Sequence, residues 1–381
     1  MTDSTPLRLI DPEFHANGTP HEVWRWMRKN EPLYWHEPSE FPGFWSVTRY
    51  EDIQTVYGNP QVFSSAKGVL LRPLQDGDDP GGGITLALTD PPRHKQLRSI
   101  MAKWFTMPYA RSLENKITIK LRELINNCRE KKEFNFSHDI ASKLTLFVTC
   151  YVLGIPEADH ETIFHWTNEA FEAAKPLASY NQFMLYFGDF MENKIVEPKD
   201  DLASAIVHSM IDDTLLAEEE ILFNFENLIG ATENAGLSMA SGVLAFLEHP
   251  QSWDALRKNR ELLSSTLEEV LRWASSATHS MRTTTQNTTI NGKKIESGDR
   301  IVLWLPSGNR DESIFTNPYQ FNITRHPNRH LALGYGEHFC IGNALARIQM
   351  RILLTELLKL LILEVVWVLC QVNYFPKKSL V

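Results

Sequence analysis

The segment LGYGEHFCIGNALAR (333–347) gathers the residues best suited to chemistry. Gly334, Gly336 and Gly342 bracket His338 and a single Cys340, immediately before a strongly helix-forming stretch. A cysteine at a helix N-terminus lies at the positive end of the backbone dipole, which favours its thiolate. Glycines let a tight turn form and let a flat ligand or a sulfur approach the backbone closely. The N–H groups of such a turn tune any metal bound to the sulfur. Three readings stay open on these residues alone. The turn can hold an inert buried cysteine. Cys340 and His338 can act as a nucleophile and base, although side chains two apart generally diverge and no orienting motif is evident. Or one thiolate, with no second ligand nearby, serves as axial ligand to a metal already held by a macrocycle.

Composition removes several other classes. The remaining cysteines, Cys128, Cys150 and Cys370, bring the total to four, and no two form a CxxC pair. Zinc ribbons, thioredoxin-like motifs and four-cysteine clusters lose their spacing, and a disulfide scaffold loses its density. With 38 Lys+Arg against 47 Asp+Glu the net charge is −9, which argues against nucleic acid as the main partner. The polar N-terminus MTDSTPLRLIDPEFHANG does not read as a signal peptide or anchor. The apolar run Leu353–Cys370 is broken by Glu356, Lys359 and Glu364, so it reads as a buried helix followed by a strand rather than a membrane span. A cytoplasmic protein without a membrane partner is expected, monomeric in its working form.

The elements that must position Cys340 are mostly helices. PHEVWRWMRKNEPLYWH (20–36) reads as an amphipathic helix stopped by Pro32, FWSVTRY (44–50) as a strand, and EDIQTVYGN (51–59) as a helix. Residues 66–91 form a long Gly- and Pro-rich loop, of the kind usually functional inside a compact domain. Pro91 and Pro92 then open a helix carrying His94 and Arg98, with Asp90 as N-cap. Helices are expected over 109–130, 137–153, 158–175, 180–195, 200–212, 218–248 and 251–273. The texture then turns β-like in 280–290 and 300–308, with NGKKIESGD as a turn-rich link between them. A final helix runs from about 341 to 361. With no repeat and no Pro/Gly/Ser linker, a single interleaved domain over 1–381 is expected, mainly α with small β-sheets.

GYGEHFCIG resembles the cysteine-ligand loop of the cytochrome P450 haem-thiolate monooxygenases, whose pattern is Phe-Gly-x-Gly-x-His-x-Cys-x-Gly. Gly334, Gly336, His338, Cys340 and Gly342 meet it, and Leu333 stands where Phe is usual. Other matches are spread along the chain. Glu269 and Arg272 lie one helical turn apart, 71 residues before Cys340, where the family has a buried structural pair. Arg282, and His94 and Arg98 in HKQLR, stand where the family places ligands of the haem propionates, a role the resemblance also gives His338. The helix 223–250 is apolar nearly all round yet carries Gly230, Ala231, Glu233 and Asn234 in its middle. These align with the family's oxygen-activation motif, small-Gly-x-acid-Thr. Asn234 replaces the alcohol, and an amide is a poorer proton shuttle than a hydroxyl.

The resemblance covers about residues 20–360 and implies the P450 fold, with haem b between the central long helix and the cysteine-loop helix. It implies Cys340 as iron ligand, and Glu233 and Asn234 in proton delivery and oxygen activation. Electrons come ultimately from NAD(P)H through a ferredoxin and its reductase. The implied reaction inserts one atom of O2 into a lipophilic small molecule, in bacterial secondary metabolism. The missing alcohol favours the alternative of a non-hydroxylating oxidase, such as a coupling enzyme acting on a carrier-tethered substrate. Placement by the same resemblance gives pocket residues Leu70, Leu71, Leu86, Phe171, Ile229, Gly230, Ala277, Thr278, Ser280 and Met281. The stretch Arg325 to His330 is expected to offer a local basic docking face. The tail after Leu361 fits the family poorly.

Overall fold

Residues described by the computed structural model are 6–360, apart from 40, 72–78, 130, 132 and 172–175. Phe44, Val302 and Trp304 bury one way, against Trp24 and Met27, while Val47, Ile301 and Leu303 bury the other way, against Tyr50 and Ile53. That alternation is the period-two pattern of a strand packed on both faces. It places β2 (Phe44–Val47) and β9 (Arg300–Trp304) side by side, parallel, at the centre of a five-stranded sheet. β1 (Leu33–His36) pairs antiparallel with β2, β6 (His279–Thr284) with β9, and β3 (Phe63–Ser64) with β6. The sheet therefore joins the first and last thirds of the chain.

Two small hairpins complete the β structure among the described residues. β4 (Met210–Ile211) and β5 (Thr214–Leu215) turn through Asp212 and Asp213, both at positive φ. The helix expected over 200–212 ends at Val207 for that reason. β7 (Thr288–Ile290) and β8 (Lys293–Ile295) turn through Asn291–Gly292 at φ 49° and 76°. Asn-Gly is the pair suited to a tight two-residue hairpin, so part of the expected link is a strand.

Helices form the larger body around a core that includes Leu121, Leu144, Phe187, Phe225, Phe246 and Leu345. The expected continuous helix over 218–248 is two helices, Glu218–Gly230 and Thr232–Glu248, interrupted at Ala231. The Ala231 N–H still donates to Asn227 O, at 3.0 Å, while the Thr232 hydroxyl donates to the Ile229 carbonyl at 2.7 Å. The sequence breaks the ladder where Gly230 lowers helix propensity and Thr232 offers its own hydroxyl to the backbone. The terminal helix runs Asn343–Leu360. The tail beyond it, including Cys370, lies outside the described residues.

Candidate active site

The chain enters the cysteine loop through two positive-φ glycines, Gly334 at 72° and Gly336 at 69°. A side chain at Gly336 would also press on the Tyr57 carbonyl. The loop closes on itself through Cys340 N–H to Leu333 O at 2.8 Å and Phe339 N–H to Gly336 O at 3.1 Å. Cys340 thus sits at the mouth of the Asn343–Leu360 helix. Burial pushes its thiol up, opposed by the Gly342 backbone N–H and the positive charges of Arg98 and Arg347. Among the described residues no three His, Cys, Asp or Glu side chains cluster as metal ligands, so this sulfur stands singly.

Beside the loop, four nitrogen-bearing side chains converge from three parts of the chain. His94 lies on the Arg93–Met101 helix, with its ring 4.1 Å from that of His338. Arg98, one turn on, donates to the Phe339 carbonyl at 2.8 Å. Arg282 comes from β6; it donates to Ser280 Oγ at 3.0 Å and Met281 O at 2.7 Å, over the Tyr57 ring. His338 Nε2 lies 3.3 Å from Ser65 Oγ. Burial, with Arg282, His94 and Arg98 nearby, holds His338 far down, at about 2. Burial and Arg98 lower His94 as well, and its buried Nδ1 has no partner. Arg282 is buried with no ion-pair partner among the described residues. Two of the four, His94 and Arg282, are buried, and none of the four hydrogen-bonds a carboxylate, although Asp90 and Glu337 are near enough to act on them through charge. Nitrogen donors left this open can take an anion.

The Glu269–Arg272 pair lies elsewhere and is fully enclosed. Arg272 Nε and Nη2 each donate to Glu269 at 2.8 Å, and Nη1 donates to the Asn309 and Pro318 carbonyls. Glu269 also accepts from Arg325 Nε, Asn328 Nδ2 and the Asn322 N–H. This corrects the expected docking face over 325–330: Arg325 is buried in the pair, and His330 lies 3.1 Å from Glu268. Only His326, Pro327 and Arg329 of that stretch are exposed. Glu268 was missed by sequence reasoning. Burial would raise its carboxyl, but hydrogen bonds from Arg347 and His330 hold it down at about 2. Arg347 is one turn into the cysteine-loop helix and bonds Glu268 twice, at 2.7 and 2.9 Å. A lone ExxR motif carries no sign of that second bridge.

On the central helices one narrow face is accessible within a buried surround. Ala231 and Asn234 are exposed and Gly230 is half-buried, while Ile229, Gly236 and Ser238 are buried. Glu233 is half-buried and burial raises its carboxyl. One turn beyond Asn234, the Ser238 hydroxyl donates to the Asn234 carbonyl and lies 2.9 Å from Ser276 Oγ. That contact ties the helix to the loop carrying Ala277 and Thr278.

The residues expected around a pocket divide. Leu70 is exposed, and Ala277, Thr278 and Ser280 are partly accessible. Leu71 and Met281 instead pack into the core with Trp24 and Trp304, and Ile229 and Leu86 into the helical core. Strand and helix alternation turns Met281 and Ile229 to the inner face, while Leu71 and Leu86 lie in irregular segments and are buried by what packs over them. Phe171 ends the His160–Phe171 helix, and its side chain is outside the described residues. Asp90 does not cap the Arg93–Met101 helix with its side chain. Its carboxylate bonds Ser64 Oγ and the Ser65 N–H, fixing the end of β3 beside His338.

The cytochrome P450 family model matches residues 4–367. The chain belongs to the cytochrome P450 family. This P450 is 32% identical to cytochrome P450 NovI of Streptomyces niveus, over 93% of this chain and 89% of that one. It is also 32% identical to the steroid C26-monooxygenase of Mycolicibacterium smegmatis, covering 94% and 90%. The crystal structure of OxyD, a P450 involved in the biosynthesis of vancomycin-type antibiotics, superposes with TM-score 0.85 at 30% identity, covering 92% and 90%. The P450 fold and an oxidoreductase activity follow, and membership implies haem. No helix among the described residues is long and apolar enough to cross a membrane.

Proposed function

We propose that this P450 is a haem-thiolate monooxygenase that inserts one atom of O2 into a lipophilic small molecule of bacterial secondary metabolism. The observation that carries it is the buried pair His94 and Arg282, neither bonded to a carboxylate, beside a single thiol. The unpartnered Nδ1 of His94 and the unpaired Arg282 fit a porphyrin bearing two carboxylates. His94, Arg98, Arg282 and His338 would hold those carboxylates, and Cys340 would hold the iron. When bound, the haem supplies the oxygen-activating chemistry, with electron push from the thiolate. Gly230 and Ala231 leave room for a flat group against the central helix. Glu233, with its carboxyl raised by burial, would hand a proton toward the accessible strip. The Asn234 amide donates a hydrogen bond there but does not relay protons as a hydroxyl does. Leu70, Gly230, Ala277, Thr278 and Ser280 would present substrate, excluding water through a mainly apolar wall. Electrons would come from NAD(P)H through a ferredoxin and its reductase.

Asn234 favours a second reading, an oxidase that couples or desaturates without net hydroxylation. Product analysis with reductase and NAD(P)H separates the two. The ligand assignment is tested by the spectrum of the reduced, carbon-monoxide-bound protein. The thiolate-haem form is expected from the wild type and must be lost in Cys340→Ala; its survival there overturns the assignment.

A further inference from the structure

Asn224 is buried at 1% exposure, two turns before Ala231 on the Glu218–Gly230 helix. That helix runs directly into the accessible strip, which begins at Gly230 and Ala231. Its amide is engaged three times. Oδ1 accepts from the Leu86 N–H at 2.9 Å, and Nδ2 donates to Ile84 O at 3.0 Å and Glu220 O at 2.7 Å. Two of those bonds leave the helix and hold the backbone of a loop.

The loop is well knit within itself. Gly83 N–H donates to Leu88 O at 2.7 Å, Leu88 N–H to Thr85 O at 3.1 Å, and Thr89 Oγ1 to Thr85 O at 2.6 Å. Gly82 lies so close to the Ala66 carbonyl that any side chain there would collide with it. Residues 79–89 therefore move as one body, or not at all. One end continues through Asp90 to Ser65, which touches His338; the other side is bonded to the Glu218–Gly230 helix through Asn224. The loop spans the two walls of the site.

We propose that Asn224 is a positioning residue that sets the size of ligand admitted, by holding residues 84–86 as a roof above the Ala231–Asn234 strip. This rests on the reading that the ligand site lies along that strip. A side-chain amide bonding backbone on both its edges fixes the roof's height and angle, where an apolar residue would fix neither. Removing it leaves the buried Leu86 N–H and the part-buried Ile84 carbonyl without that partner, which drives the roof outward toward water.

The test uses the holoprotein and two iron-binding probes of different size, imidazole and econazole, read by the shift of the haem spectrum. Asn224→Ala is expected to speed econazole association at least fivefold while leaving imidazole association within twofold. Hydrogen exchange of the peptide spanning 82–90 should accelerate, with exchange of the 343–360 helix unchanged. Asn224→Asp keeps the Oδ1 acceptor for Leu86 and loses the donor to Ile84; it should fall between the wild type and Asn224→Ala. Equal effects on both probes, or no effect on either, overturn the roof, and the aspartate variant decides the matter if the alanine variant does not fold. A wild type that shows no shift with imidazole overturns the ligand site itself, and the roof with it.

Discussion

Two buried clusters of cationic side chains sit in this molecule, and they differ in what completes them. Around Glu269, both Arg272 and Arg325 find a carboxylate, and their remaining N–H groups find the carbonyls of Asn309, Thr316, Pro318 and Gln320. Around His338, the hydrogen bonds of Arg98 and Arg282 among the described residues go to backbone carbonyls and a hydroxyl, and the carboxylates of Asp90 and Glu337 reach them only through charge. Burying a charge costs several kcal/mol unless it is paired. The first cluster meets that cost within the protein. The second leaves part of it to a ligand. A saturated cluster braces the fold, and an unsaturated one binds.

The largest expected effect breaks the saturated cluster. Glu269→Ala strands two buried guanidinium groups and should cost about 3–5 kcal/mol, seen as a lower denaturation midpoint of both apo- and holoprotein. An effect confined to the holoprotein would erase the distinction between the clusters.

Acid gives the next largest effect, shared between His94 and His338 of the second cluster and buried histidines outside both. Burial lowers His36 and His279 from 6.5 to about 4. The unfolded chain binds protons first, so the stability these neutral rings contribute is complete above about pH 6.5. It is lost as pH falls towards 4 and levels off below, by up to about 3 kcal/mol per ring. Denaturant midpoints taken from pH 7 to 4 measure this. Replacing both rings (His36→Phe, His279→Gln) should make that limb shallower by their share, leaving the part due to the other buried histidines, His21 and His338 among them. An unchanged limb would mean these two rings contribute nothing to it.

A smaller effect is expected from the unsaturated cluster. Arg282→Ala should speed haem transfer to a scavenging apoprotein by roughly ten- to a hundredfold, the value of one charge-assisted hydrogen bond. The apoprotein should be no less stable, since a buried unpaired charge has been removed. Loss of apoprotein stability would mean that Arg282 braces the sheet instead. The smallest effect is a matter of chemistry. Asn234→Thr should change the ratio of product to hydrogen peroxide a few-fold in favour of product; an unchanged ratio removes Asn234 from oxygen activation.

The cysteine loop was legible because its constraints are local: positive φ at two glycines and a cysteine before a helix all leave marks on consecutive residues. The central parallel strands were legible as strands for the same reason. What escaped depends on partners far away in sequence. Glu268 looks like any helical acid until Arg347 and His330 arrive, and Asn224 like a misplaced polar residue until Leu86 does. At Leu71, Leu86, Ile229 and Met281 a pocket wall and the core read alike in sequence, because apolar residues look the same whether they face a ligand or the core. The break at Ala231 was masked by an apolar pattern that continues on both sides of it.

The parallel pairing of β2 with β9 also has a consequence for synthesis. Trp304 Nε1 donates to Ser46 Oγ across 258 residues of chain. At about 5–20 residues per second, β2 would wait roughly 13–50 s on the ribosome before its neighbour exists. Meanwhile Trp24, Met27 and Phe44 lack the cover that Val302 and Trp304 give them in the finished protein. The N-terminal strands should therefore be early clients of holding chaperones. Slower translation ahead of residue 300 should lower the yield of soluble protein more than the same delay placed after it.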